Sequence, residues 1–250
     1  MSDDLIRVKN ASYARYEELL MQRDLVKKDA FQYEREYVKT FGDLILKVFR
    51  MKMECICKKK TIEYCRVFLN RGEAVDMAVL QAYLLKEMEE YQKQLDGMIR
   101  DNEAAKNSTT ISQSELLKIK RIYHRLVKQI HPDINPLTNT NEELRDLWQR
   151  LVTAYNCNDL KEMEETEILI NSVLEKLKLG TMEIEIPDID EKIEELEAEI
   201  MQIKSVNPYQ YKYLLMDPDA VEQKKEALRK ELKDFEEYSQ QLQQMLDELE

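Results

Sequence analysis

Apolar side chains recur at steps of three and four residues over most of this chain, the spacing that lines one side of an α-helix. The first run carries Tyr13, Tyr16 and Leu20, then Ala30, Tyr33, Tyr37 and Phe41, in a matrix of Lys, Arg and Glu. It predicts a long helix over 3–40. The rhythm continues past Gly42 through Leu44, Val48, Met51 and Cys55. A glycine inside a helix costs about 1 kcal/mol relative to alanine. Gly42 therefore marks a kink, a tight helix crossing or a break between two helices. Asn70-Arg71-Gly72 is the first clear stop, with Gly72 suited to a left-handed cap. A further helix is expected over about 73–101, followed by a small polar linker over 102–110. The span 1–105 reads as a helical hairpin or small bundle.

The strongest amphipathic pattern lies in Leu116–Asp133, LLKIKRIYHRLVKQIHPD. Wound at about 100° per residue, Ile119, Ile122, Tyr123, Leu126, Val127 and Ile130 share one face. Lys120, Arg121, His124, Arg125 and Lys128 fall on the other, with Leu117 as the apolar exception. One face suits a core and the other is a cationic stripe. Ser112-x-x-Glu115 is a capping box at the helix start. At the far end Pro132 stops the helix and pushes His131 out of the α region. His131 and Asp133 are thus expected in a rigid turn at the end of the stripe.

Ile134–Asn139 reads as a loop rich in Asn, Pro and Thr. Thr140-x-x-Glu143 is a second capping box, opening a helix with Leu144, Leu147, Trp148, Leu151 and Tyr155 on one side. That stripe can pack antiparallel against the apolar face of the basic helix, with Trp148 as a core anchor. Asn156–Asp159 interrupts, and a third helix is expected over about 160–179, ended by Gly180.

The last segment changes rhythm. Ile189, Ile193, Leu196, Ile200 and Ile203 are spaced four, three, four, three. Leu228, Leu232, Phe235, Ser239, Leu242, Leu246 and Leu249 repeat the pattern, with Ser239 as its one polar member. Pro187 and Pro218 suit first-turn positions beside Asp caps. This reads as two helices with a coiled-coil seam, folded on each other or joined to a second copy in a homo-oligomer. Residues 181–250 carry 20 acidic and 8 basic side chains, so the net charge of −12 resides there. That acidity also makes the segment a candidate cover for the cationic stripe. The chain thus divides into three regions, 1–105, 106–180 and 181–250. The fold class expected is all-α: a helical N-terminal region, an antiparallel helical hairpin and a coiled-coil-like C-terminal hairpin.

Composition supports long helices, since only four glycines and five prolines punctuate 250 residues. The acidic balance disfavours general nucleic-acid binding, which needs a basic surface. No run of about 18 apolar residues suits a membrane span. The start, MSDDLIRVKN, lacks the apolar stretch of a signal peptide. Cys55, Cys57, Cys65 and Cys157 form no CxxC pair, which fits reduced thiols in a cytoplasmic setting. A metal site at Cys55, Cys57 and Cys65 is disfavoured, because a two-residue step cannot place two thiols on one helix face. Lys58-Lys59-Lys60 reads as a solvated turn. His131 and Asp133 have no nucleophile with a matching local signature and no phosphate loop beside them, so no catalytic residue, metal ligand or cofactor is assigned.

Glu115, Ile119, Lys120, Tyr123, Arg125, Leu126 and His131-Pro132-Asp133, followed by a polar loop and a partner helix with Tyr155 near its end, resemble the J-domain of the DnaJ co-chaperone family. The resemblance covers about 112–177. It implies a helical hairpin that performs no chemistry itself but docks on a DnaK-type chaperone ATPase and stimulates hydrolysis. By that likeness Lys118, Lys120, Arg121, Arg125 and Lys128, with His124 on the same face, would dock. His131, Pro132 and Asp133 would trigger. Five cations in about three turns suit a negatively charged groove and salt-sensitive association. The family's usual first helix with its Asp-Tyr-Tyr start is missing before the basic helix. Residues 77–103 are the expected replacement, with Tyr83, Leu84, Leu95 or Met98 covering the pair. The Phe usual in the second amphipathic helix, the glycine/phenylalanine linker and the CxxCxGxG zinc region are also missing. A general DnaJ with its own client module is thereby excluded. The resemblance implies a divergent J-protein, targeted to its client by accessory helices. The alternative is a structural adaptor that keeps a J-like fold only as a packing unit.

Overall fold

The computed structural model describes residues 2–107, 111–177 and 188–249, with side chains from residue 11 onward. Among these the chain is all-α, with no strand. The helices are α1 (Ser2–Leu69), α2 (Met77–Lys106), α3 (Gln113–Ile130), α4 (Leu137–Thr140) and α5 (Glu142–Cys157). After them come α6 (Leu160–Lys176), α7 (Ile189–Ser205), α8 (Tyr211–Leu215) and α9 (Pro218–Asp247). No helix of the described residues is long and apolar enough to cross a membrane. The expected caps at Gly180 and Pro187 lie outside the described residues.

Two compact units are each assembled from two separate stretches, 1–33 with 109–210 and 34–108 with 211–250. They cut across the linear segments read from the sequence. The stretch 1–105 contributes to both units, and so does 181–250. The cause is α1, which runs unbroken for 68 residues and offers an apolar stripe to partners along its length.

In the first unit, Tyr16, Leu19, Leu20 and Val26 of α1 join one core with Ile119, Leu126 and Ile130 of α3. Leu144 and Leu151 of α5, Met163 and Ile170 of α6, and Leu196 and Ile200 of α7 complete it. The helix expected to cover the α3–α5 pair was 77–103. Instead α1 does so through Tyr16, Leu19, Leu20 and Val26, while Tyr83, Leu84, Leu95 and Met98 belong to the other unit. Local sequence could not decide this, because both helices carry a suitable stripe. Along α3 and α5, Tyr123 meets Tyr155 and His131 meets Trp148, so the two helices run antiparallel. Between α1 and α7, Ser12 meets Asp190, Arg15 meets Glu197 and Lys27 meets Glu199, so these run parallel.

In the second unit α2 folds back on α1. Tyr64 lies against Tyr83, Lys60 bonds Glu87 at 2.5 Å, and Lys106 bonds Asp43 at 2.6 Å. Gly42 is the tight crossing. A Cβ there would collide with the amide of Asn102, whose Nδ2 donates to Asp43 at 2.8 Å. α9 packs on α1 through Leu228 with Phe41 and Val48, and Leu242 with Cys55 and Ile62. Ser239 explains the polar break in its seam. Its hydroxyl donates to Glu54 at 2.9 Å and accepts from Lys58 at 2.8 Å, a part-buried polar contact of the kind that fixes helix register. Lys58 is thus a linking side chain, where a solvated turn was expected. α7 and α9, expected as one hairpin, sit in different units.

Candidate functional site

The site begins with how α3 starts and stops. Ser112 Oγ accepts from the Glu115 N–H at 3.2 Å, and Glu115 Oε2 accepts from the Ser112 N–H at 3.1 Å. The expected capping box is present, satisfying two donors that a helix start leaves free. At the other end His131 is extended, with φ −60° and ψ 130°, as a residue before proline should be.

The stretch from Ile134 to Asn141 is less of a loop than its Asn, Pro and Thr content suggested. The last carbonyls of a helix lack intrahelical partners, and here side chains supply them. Asn135 Nδ2 donates to Gln129 O at 2.8 Å and Thr138 Oγ1 to Ile130 O at 2.9 Å, and just beyond the helix Asn139 Nδ2 donates to Pro132 O at 3.3 Å. The His131 carbonyl accepts from the N–H groups of Ile134 and Asn135. Residues 137–140 form the short α4. The cap of α5 is then Asn141, whose side chain accepts from the Leu144 N–H at 3.0 Å. Thr140, the expected cap, is one residue early because α4 has already claimed it. Asn135, Thr138 and Asn139 were not singled out from the sequence, although short polar side chains after a helix stop are the signal for such bonds.

His131 is turned inward, only 3% exposed, edge-on to Trp148 with ring centroids 4.8 Å apart. Asp133 points out, its side chain 48% exposed. The Asp133 N–H donates to His131 Nδ1 at 3.1 Å, tying the turn to the ring. Burial holds the His131 pKa below its ordinary 6.5, and Arg23 acts the same way against the opposing pull of Asp24 and Asp133.

The inner wall comes from α1. Arg23 Nη2 lies 3.2 Å from His131 Nε2, and Nη1 lies 3.8 Å from Asp133 Oδ2. Arg23 also bonds Asp24 at 3.0 Å and stands 3.9 Å from Glu199 of α7. The Tyr123 hydroxyl donates to Asp24 at 2.7 Å, and burial beside that carboxylate raises the phenol well above its usual range. Tyr123 stacks on Tyr155 at 3.8 Å. Lys28 stands 3.7 Å over the Tyr155 ring, its pKa pushed down to about 8 by burial; the ring face offsets part of that cost. A cleft of about 330 Å³ opens here, lined by Arg23, Asp24, Lys27, His131, Asp133 and Trp148 among others. Arg23 and Asp24 are more than a hundred residues from the turn in sequence, and no local pattern points to them.

The cationic stripe divides. Lys118, Lys120 and Arg121 are exposed and form no ion pair among the described residues. His124 is half-buried, its pKa lowered by burial and then by Lys120 and Lys128. Arg125 pairs with Glu167 of α6 at 2.7 Å, and Lys128 with Glu17 of α1 at 2.8 Å. The acid that meets the stripe therefore comes from α1 and α6. The acidic side chains of α7 reach Arg15, Arg23 and Lys27 of α1, and among the described residues none pairs with an α3 cation.

In the other unit a groove of about 670 Å³ runs beside α2, lined by Cys57, Leu84, Leu85 and Met88 with polar rims. Its lining includes none of the residues of the basic helix or its turn. No family model, curated protein or solved structure matches this chain.

Proposed function

We propose that this chain is a J-domain-like co-chaperone that docks on a DnaK-type chaperone ATPase and stimulates its ATP hydrolysis. One observation carries the reading: a hydrogen-bonded His131-Pro132-Asp133 turn ends a helix whose first turns present three exposed cations with no ion-pair partner among the described residues. Lys118, Lys120 and Arg121 supply electrostatic docking, and Arg125 and Lys128 join at the cost of their intrachain pairs. Asp133 presents an exposed carboxylate in a fixed place. α1, α2, α7 and α9 are the accessory helices that select the target.

A second reading is favoured by the burial of His131. A ring that packs on Trp148 and faces Arg23 also suits a structural adaptor, in which the turn is only a packing unit. Single-turnover ATP hydrolysis by a DnaK-type chaperone separates the two. With the wild-type chain the rate should rise above that of the chaperone alone. With His131→Gln it should return to the unstimulated value. Equal, unstimulated rates with both proteins would leave the adaptor reading standing and sink the co-chaperone.

A further inference from the structure

We infer that Arg23 is an internal occupant of the His131-Pro132-Asp133 turn, and that the turn becomes available to a chaperone when this guanidinium withdraws. The inference rests on the co-chaperone reading and adds a self-limiting contact to it. Arg23 reaches both ends of the motif at once, 3.2 Å from His131 Nε2 and 3.8 Å from Asp133 Oδ2. No other side chain pairs with Asp133 from outside the turn among the described residues.

The ring itself shows which contact gives way. A neutral imidazole has one acceptor nitrogen. Two donors are aimed at it, the Asp133 N–H at Nδ1 and the Arg23 guanidinium at Nε2. Both cannot be accepted together. The Asp133 N–H is fixed two residues away by the Pro132 turn, whereas Arg23 swings on a long side chain. When Arg23 leaves, Nδ1 keeps the backbone bond and Nε2 carries the proton, so the ring becomes a donor toward the cleft.

The movement is confined to a side chain. α1 stays docked, because Leu19 and Leu20 are buried beneath it and Tyr123 holds Asp24. The displaced guanidinium keeps Asp24 and Glu199 as partners. The contacts broken are a 3.8 Å ion pair whose Asp133 member is half-exposed, a weak class of interaction, and an approach to a ring nitrogen that cannot accept it while Nδ1 accepts the Asp133 N–H. Arg23 therefore acts as a light competitor that a binding chaperone displaces.

The test uses the full chain as wild type, Arg23→Gln, Arg23→Lys and His131→Gln in the chaperone ATPase assay, with thermal melting to confirm folding. Arg23→Gln should reach half-maximal stimulation at a concentration roughly two- to fivefold lower than wild type, the range expected for losing one weak ion pair. Arg23→Lys keeps a charge for Asp24 and Glu199 but cannot span His131 and Asp133 with one ammonium, so it should shift the same way. Superimposable curves for wild type and both Arg23 variants, with His131→Gln inactive, overturn the inference and leave the co-chaperone reading intact. Four proteins at the unstimulated rate overturn both. Nitrogen NMR of the His131 ring gives a reading independent of ATPase: the Arg23 variants should shift it toward the Nε2–H form, and an unchanged ring spectrum overturns the inference.

Discussion

The two ends of α3 differ in what the chain does with their charge. Over its first turns Lys118, Lys120 and Arg121 stand in solvent without an ion-pair partner among the described residues. Over its last turns Arg125 and Lys128 are tied to Glu167 and Glu17, and the turn beyond meets Arg23. One helix thus offers an open cationic end and an end engaged by its own neighbours. Long-range attraction belongs to the open end, where field lines reach water. Short-range fit belongs to the engaged end, where a partner must displace or accommodate contacts already made.

What the ends share is the buried face, and its loss should outweigh any change of charge. Leu126 is fully buried among α1, α3 and α5 residues. Leu126→Ala should lower the unfolding free energy by about 2–5 kcal/mol, from lost transfer energy and the cavity left behind. Leu117 is 51% exposed on the opposite face, and Leu117→Ala should stay within about 0.5 kcal/mol of wild type. Denaturant melts of the two variants measure this directly. Similar losses would mean that the faces are not divided as described.

The next effect in size separates the ends. Charge reversal of Lys118, Lys120 and Arg121 together should slow association with a DnaK-type chaperone by about tenfold or more at low salt. The loss should shrink as salt rises. Folding stability should hardly move, because no ion pair among the described residues is broken. Neutralising Arg125 and Lys128 should do the reverse, costing up to about 1 kcal/mol of stability per pair with a smaller change in association. Stopped-flow binding and melting on both sets decide it. Equal kinetic losses from the two sets would erase the distinction between open and engaged ends.

The pattern of α3 was readable because its physics is local. The Ser112 cap, the apolar stripe and the stop at Pro132 each depend on residues within a turn or two, and each stands where the spacing put it. The continuity of α1 past Gly42 was not decided by local rules, since a glycine in a helical rhythm suits a break or a crossing equally. Its meaning depends on Asn102, on another helix. The same holds for the site. The turn was visible in sequence, but the burial of His131 depends on Trp148 and on α1, which lies far away along the chain. The seam of α9 was legible as a rhythm, whereas its partner, the stretch of α1 around Phe41 and Cys55, was not. An apolar stripe states that a partner exists without stating which one.

The smallest effect concerns pH, and it too sets the ends apart. In an unfolded chain His131 takes up its proton near its ordinary pKa of 6.5, while burial holds the folded ring below that value. Between the two values the unfolded state binds more protons, so stability falls as the solution is acidified. The contribution is fully present above pH 6.5 and is lost as pH falls through the folded value. His124 has the same sign for a related cause, burial beside Lys120 and Lys128, but it is half-buried and its share should be smaller. Melting curves between pH 7 and pH 5 should therefore slope less for His131→Gln than for wild type, with His124→Gln in between. A steeper slope in His131→Gln, or one equal to wild type, would mean that the folded ring takes up its proton at least as readily as the unfolded one. Arg23 and the cleft would then not hold it neutral.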